Sequence, residues 1–257
     1  MSAALVTGAA RRLGRAMALY LAGRGYDVAI HYDRSADEAE ATAQAARQMG
    51  VRAAIFQADL LRDDATEALI PAAAEALGPL SVLVNNASIF EYDTLASATR
   101  ESWDRHIGSN LRAPFLLTQA FAAQAAPAEQ ANGEALATGL VVNMVDQRVL
   151  KPTPEFMTYS LAKAGLWALT RTSAQALAPA IRVNAIGPGP TMRGARQTQD
   201  HFDRQRAATI LRRGADADDV TAALGYLLDA KAVTGQLICV DGGQHLGWQT
   251  PDIQGVE

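Results

Sequence analysis

The sequence predicts an α/β fold: a Rossmann-like, doubly wound, mostly parallel seven-stranded sheet with helices on both faces, forming a single domain over residues 1–257. Three observations carry that prediction. Short β-rich apolar runs alternate with longer segments of helical period along the whole chain, the pattern of repeated βα units. A glycine-bearing turn follows the first run and opens the first helical segment. A chain of 257 residues that is 49% hydrophobic closes one core of this size, and no repeat, linker or composition shift divides it.

The predicted strands cover residues 3–6, 28–30, 53–56, 82–84, 140–143, 182–186 and 237–240. Helical period marks residues 13–25, 38–49 and 159–177, the last stopped near Pro179. Two stretches interrupt the alternation. Residues 125–138 are Ala-rich, contain Pro127 and Gly133, and read as a surface loop. Residues 191–214 are polar, precede the last helix, and stand where a substrate flap belongs.

Composition excludes several classes. The formal net charge of −4 has no dominant sign, which argues against nucleic acid as a partner. No apolar stretch approaches the length needed to span a bilayer, and the first eight residues enter a strand-like run without a basic leader, so a cytoplasmic location is expected. Cys239, the single cysteine, lies in an apolar run and reads as a small core side chain. No cluster suggests a metal.

The turn Thr7-Gly-Ala-Ala-Arg-Arg-Leu-Gly14 presents backbone N–H groups and a helix start, which suits a dinucleotide pyrophosphate. Gly8, Arg11, Arg12, Leu13 and Gly14 are therefore candidate cofactor contacts. Near the end of the second strand, Tyr32, Arg34 and Ser35 favour NADP(H), because a guanidinium and a hydroxyl donate to a 2′-phosphate. Asp33 would repel that phosphate unless it turns away, and the alternative is that residues 33–35 begin a solvated turn and helix cap. Asp59 and Leu60 end the third strand, and Asn86, Ala87 and Ser88 follow the fourth, on the rim where open sheets hold ligands.

Tyr159 and Lys163 stand four residues apart on one face of a predicted helix. A phenol with a pKa near ~10 moves protons at neutral pH only when a nearby cation favours its ionised form. Lys163 is the expected cation.

Taken in order, Thr7 to Gly14, Asp59, Asn85-Asn86-Ala87, Ser109-Asn110, Tyr159 to Lys163, residues 182–189 and Val240 to Gly243 resemble the short-chain dehydrogenase/reductase family over nearly the whole chain. The resemblance implies that Tyr159 is the general acid, that Lys163 lowers its pKa and holds the nicotinamide ribose, and that Asn110 anchors a water. It also implies that Pro188 and Gly189 border the nicotinamide, and that a homotetramer forms.

Two departures narrow the substrate. Thirteen residues before Tyr159, where most of the family has a Ser, stands Asp146; an ionised carboxylate opposes a developing alkoxide, whereas a protonated one donates to a ring nitrogen. Arg12 replaces the middle glycine of the common turn. Both departures, with residues 31–35, 85–90 and 143–146, resemble the pteridine reductase branch. That resemblance implies that Phe90 and the nicotinamide sandwich a pterin, that Arg12 and Ser88 contact pterin or phosphate, and that Asp146 with Tyr159 delivers the proton in C=N reduction. Phe90 reads alternatively as a core residue. A reductase of another carbonyl or imine, such as a 3-ketoacyl substrate, and a non-catalytic NADP-binding sensor remain the competing readings.

Overall fold

The computed structural model describes residues 2–194 and 197–250. In chain order the elements are β1 (Ala3–Val6), α1 (Arg12–Gly23), β2 (Asp27–Tyr32), α2 (Ala36–Gln48), β3 (Ala53–Gln57), α3 (Asp63–Leu77), β4 (Leu80–Asn85), α4 (Arg100–Ile107), α5 (Ala113–Gln124), β5 (Glu129–Ala131), β6 (Glu134–Leu136), β7 (Gly139–Met144), α6 (Met157–Ala176), β8 (Ile181–Pro188), α7 (Gln199–Ala207), α8 (Ala217–Asp229) and β9 (Leu237–Val240). A single turn of π-helix, Gly108–Arg112, joins α4 to α5.

The main sheet has seven strands in the order β3-β2-β1-β4-β7-β8-β9, and every pairing is parallel. Because helices cover both faces, central strands are apolar at successive positions rather than alternating: all four residues of β1 are buried. Ala4 and Val6 face the layer of α1, α2 and α8, where Met17, Leu21 and Leu224 pack. Ala3 and Leu5 face α3 and α5, where Ile70, Leu117 and Phe121 fill the second layer. The order reverses between β1 and β4, which opens a crevice beyond their carboxyl ends.

The stretch 125–138 differs from the loop expected. It folds β5 and β6 into an antiparallel hairpin across Asn132 and Gly133, whose φ values of 54° and 83° are the left-handed pair that a tight two-residue turn requires. Its strands are exposed and carry no apolar alternation, which is why the segment reads as a loop. Cys239 is half-buried rather than fully enclosed, and burial pushes its thiol up to about 11, away from reactive thiolate. Among the described residues, no helix is long and apolar enough to cross a membrane.

Candidate active site

The glycine turn is shaped by close approach. Gly8 has φ +62°, and a Cβ on Gly14 would stand 2.2 Å from the Gly8 carbonyl oxygen and 2.6 Å from the Asn86 amide nitrogen. Thr7 and Asn86 fasten the turn to the end of β4: the Thr7 hydroxyl accepts from the Asn86 and Ala87 N–H groups at 2.9 Å, and the Asn86 amide donates to the Thr7 carbonyl at 2.8 Å. At the start of α1 no side chain caps the first N–H groups, and the first turn carries no acid. Such a terminus fits an anionic pyrophosphate.

At the adenosine end, the Arg34 Nε lies 3.3 Å from Asp33, so the carboxylate expected to oppose a 2′-phosphate is paired with the cation that would attract one. Arg34 is otherwise exposed. Ser35 precedes α2 without capping it through its side chain, contrary to the simple helix-cap alternative. Asp59 accepts from the Leu61 N–H at 3.0 Å and Leu60 is buried beneath it. At the other end of the crevice, Gly189 follows β8 with its N–H donating to Val240 at 3.0 Å, and a Cβ there would meet Asp241 at 2.6 Å. That contact holds Pro188 and Gly189 against the end of β9.

Tyr159 and Asp146 meet beyond β7. The phenol donates to the Asp146 Oδ2 at 2.9 Å, and Asp146 Oδ1 accepts from the Arg148 N–H at 2.9 Å. Burial lifts the Asp146 carboxyl above its ordinary range, against the N–H and guanidinium of Arg148, which act to lower it. Lys163 is buried, donates to the Met144 carbonyl at 2.7 Å, and burial lowers its ammonium to about 8. Burial, then the adjoining Asp146, pushes the phenol well above its ordinary value, and the opposing influence is Arg148 rather than Lys163.

The segment after β4 builds one wall. Ile89, Glu91 and Asp93 turn inward, whereas Ser88, Phe90 and Tyr92 are exposed, an alternation of extended chain. Each inward residue is pinned: the Asn110 amide bonds both the N–H and the carbonyl of Ile89, the Glu91 N–H donates to His106, and Asp93 binds the start of α6. Phe90 is 43% exposed, which rules out the core alternative. Its ring stacks on Phe156 at 4.3 Å and 13° and meets the Tyr159 ring edge-on at 4.6 Å. The Arg148 guanidinium lies 5.0 Å from the Phe156 ring centre.

Two assigned residues are engaged differently from expectation. The Asn110 side chain is committed to Ile89, so a water at this position would bond to the main chain of the π-helical turn. Arg12, at φ 55°, sends its guanidinium to the carbonyls of Arg193 and Met192 at 2.9 and 3.0 Å. It ties the glycine turn to the first residues of the expected flap. Within 191–214, residues 195 and 196 lie outside the described residues; α7 is held at its base by Arg206, which donates to the carbonyls of Pro190 and Ala215.

Several contributors were not legible in the sequence. Phe156 and Arg148 gave no signal. Tyr92 could have been found from its two-residue spacing after Phe90. A buried chain of His106, Thr158 and Asp93 joins α4, the wall and α6: the Thr158 hydroxyl lies 2.7 Å from His106 Nδ1 and donates to Asp93, which also accepts the Thr158 N–H. It fixes the helix start two residues before Tyr159.

The arrangement of a doubly wound sheet, a glycine turn at its switch point and a Tyr-Lys pair on α6 defines an oxidoreductase class, and the chain belongs to the short-chain dehydrogenase/reductase family. A family model described as Enoyl-(Acyl carrier protein) reductase matches residues 8–245. Among solved structures, FolM Alternative dihydrofolate reductase 1 from Brucella suis in complex with NADP is 43% identical, with a TM-score of 0.91 and 98% of each chain covered. A Short chain dehydrogenase from Burkholderia cenocepacia in complex with NADP is 32% identical, with a TM-score of 0.84 over 95% of this chain and 97% of that one. Among curated proteins, the 3-oxoacyl-[acyl-carrier-protein] reductase FabG of Staphylococcus epidermidis is 32% identical, covering 95% of this chain and 98% of the relative.

Proposed function

We propose that this chain is an NADPH-dependent reductase of a pteridine, reducing a C=N bond of a dihydropterin or dihydrofolate-like ring. The observation that carries the reading is the 2.9 Å contact of Tyr159 with Asp146, beside the exposed ring of Phe90. The 43% identity to a FolM dihydrofolate reductase supports it.

The uncapped start of α1 and the Gly8–Gly14 cradle would hold the pyrophosphate of NADP(H), with Arg34 and Ser35 at the 2′-phosphate and Asp59 at the adenine. When bound, the cofactor supplies a hydride. Lys163 would reach the nicotinamide ribose, Pro188 and Gly189 would border the ring, and Phe90 would hold a flat substrate against it. Ser88 would contact the pterin or phosphate, and Arg12, expected to do the same, would instead hold residues 191–194 near it through the Arg193 and Met192 carbonyls, with residues 197–214 completing a flap. Tyr159 keeps its proton because its pKa is raised, and the half-buried Asp146 carboxyl takes up a proton more readily than an exposed one. Together they deliver a proton to a ring nitrogen.

The FabG relatives favour a second reading, reduction of a 3-ketoacyl thioester. Asp146 in place of a hydroxyl weakens it, because the proton this carboxyl must hold to donate to an alkoxide is one a Ser hydroxyl holds at every working pH. The homotetramer and the cytoplasmic location expected from the family resemblance belong to the same reading, and exposed Trp103, Phe115 and Leu161 on α4, α5 and α6 would supply apolar surface for self-association. Steady-state NADPH oxidation with dihydropterins and with 3-ketoacyl thioesters tests the reading: selective turnover of the pterins supports it, and selective turnover of the thioesters replaces it with the second.

A further inference from the structure

We infer that His31 is a positioning residue for the dinucleotide site, joining its pyrophosphate end to its adenine end through a neutral imidazole. His31 is 2% exposed, at the penultimate position of β2. The Gly8 N–H donates to its Nδ1 at 3.0 Å, and its Nε2 lies 3.0 Å from the carbonyl of Ala58, the residue before Asp59. These partners fix the tautomer. Nδ1 accepts and therefore carries no proton, so Nε2 carries it and donates to Ala58.

The geometry gives the ring a specific task. Gly8 sits at φ +62° where the turn departs from β1, and the bond from His31 aims its N–H inward and holds the turn against the sheet. Ala58 is tied to the same strand by its own N–H, which donates to the Tyr32 carbonyl at 3.1 Å. One side chain thus sets the spacing between the turn that meets the pyrophosphate and the strand end that meets the adenine. An apolar residue of similar size would fill the space and leave the Gly8 N–H and the Ala58 carbonyl without their partners.

A second consequence follows from protonation. An imidazolium has no acceptor, so charging His31 breaks the Gly8 bond. Burial lowers its pKa from 6.5, with the Ala58 carbonyl and the Asp33 charge opposing. The other charges on the neighbouring segments are Arg34 after β2, Asp59 after Ala58, and Arg11 and Arg12 after the turn; on the covering helix α3, Asp63, Asp64, Glu67 and Glu75 are exposed. Cofactor affinity therefore falls on the acid side, as pH drops toward the lowered pKa of His31.

The inference rests on the NADP(H) reading, and the test separates the two. NADPH and NADH affinities of the purified protein are measured by fluorescence titration between about pH 8 and about pH 5. NADH is the arm that matters for pH, because it lacks the 2′-phosphate that itself titrates near ~6. Binding of His31→Leu is expected to weaken by roughly ten-fold at every pH, the loss of one buried bond. His31→Asn restores an acceptor near the position of Nδ1 and has no titrating group, so it binds within about three-fold of the native protein and shows no acid loss for NADH. Should His31→Leu fail to fold, the native protein and His31→Asn still decide the matter. Native-like affinity in His31→Leu, or NADH binding by His31→Asn about ten-fold weaker than native at about pH 8, overturns the inference. Failure of the native protein to bind either nucleotide overturns the cofactor reading instead.

Discussion

The Tyr159 hydroxyl donates a hydrogen bond to Asp146 across 2.9 Å, while the Phe90 ring meets the Tyr159 ring edge-on at 4.6 Å and the Arg148 Nε lies 4.0 Å from the same carboxyl. A Ser at position 146 would offer a donor to a carbonyl oxygen. Asp146 instead offers a carboxyl whose burial favours the protonated form, which is the form that donates to nitrogen.

Asp146→Asn keeps the size and a hydrogen-bond donor but cannot gain or lose the proton. Its kcat on a dihydropterin should fall by about 10²-fold, with KM changed by less than about three-fold, read from initial rates of NADPH oxidation. Asp146→Ser should lose pterin turnover similarly and gain measurable activity on a ketone. Equal losses on both substrates would detach Asp146 from substrate choice.

Lys163 is held as a buried amine whose pKa is lowered from 10.5 to about 8, a cost of roughly 3 kcal/mol to the folded cofactor-free protein at neutral pH. The folded pKa is depressed, so this contribution worsens as pH falls from about 10.5 to about 8 and is level below that. Lys163→Met removes the penalty along with one bond to Met144, and should raise stability by about 1–2 kcal/mol in urea unfolding at pH 7 while abolishing turnover. A less stable variant would mean that the bond to Met144 outweighs the desolvation.

Asp93 is buried; desolvation pushes its carboxyl up, but hydrogen bonds from the Thr158 hydroxyl and N–H and from Ser102 outweigh this and hold its pKa below 3.8. Its stabilisation is therefore present at neutral pH and lost as pH drops through that lowered value. Asp93→Ala removes the anchor of α6 and should cost about 2–4 kcal/mol by denaturant unfolding. Thr158→Val should lose part of the same energy, and the double variant less than the sum of the two, because both act in one network.

Arg12 holds a left-handed backbone at φ 55° while its guanidinium ties down Met192 and Arg193. Arg12→Gly and Arg12→Ala both cut the tether, and each should raise the substrate KM several-fold. Thermal unfolding should rank Gly above Ala by about 1 kcal/mol, the reverse of helix propensity, because only glycine adopts this φ without strain. The opposite ranking would indicate that the turn relaxes.

Much of the fold was legible because parallel strands covered on both faces are written as short apolar runs, and all seven emerged near their predicted positions. The hairpin around Asn132 and Gly133 was not, since its strands are short and exposed and its turn signal stood among alanines. At the site, Asp146 was paired with Tyr159, and Phe90 was picked out, through the family resemblance rather than from local pattern. His31, Asp93 and Phe156 depend on contacts between distant segments, which local pattern does not encode. Proximity of Lys163 to Tyr159 on a helix face is visible in sequence, whereas the desolvation that raises the phenol's pKa arises only from packing.

The proposed pterin reduction requires the Asp146 and Tyr159 pair to serve a ring nitrogen. The most direct measurement compares kcat/KM of the purified protein for NADPH-dependent reduction of a dihydropterin with that for a 3-ketoacyl thioester, at the same pH. Proton delivery to a ring nitrogen predicts a preference for the pterin of about 10²-fold or more, reduced toward parity in Asp146→Ser. A preference of that size for the thioester, unaffected by the substitution, would contradict it.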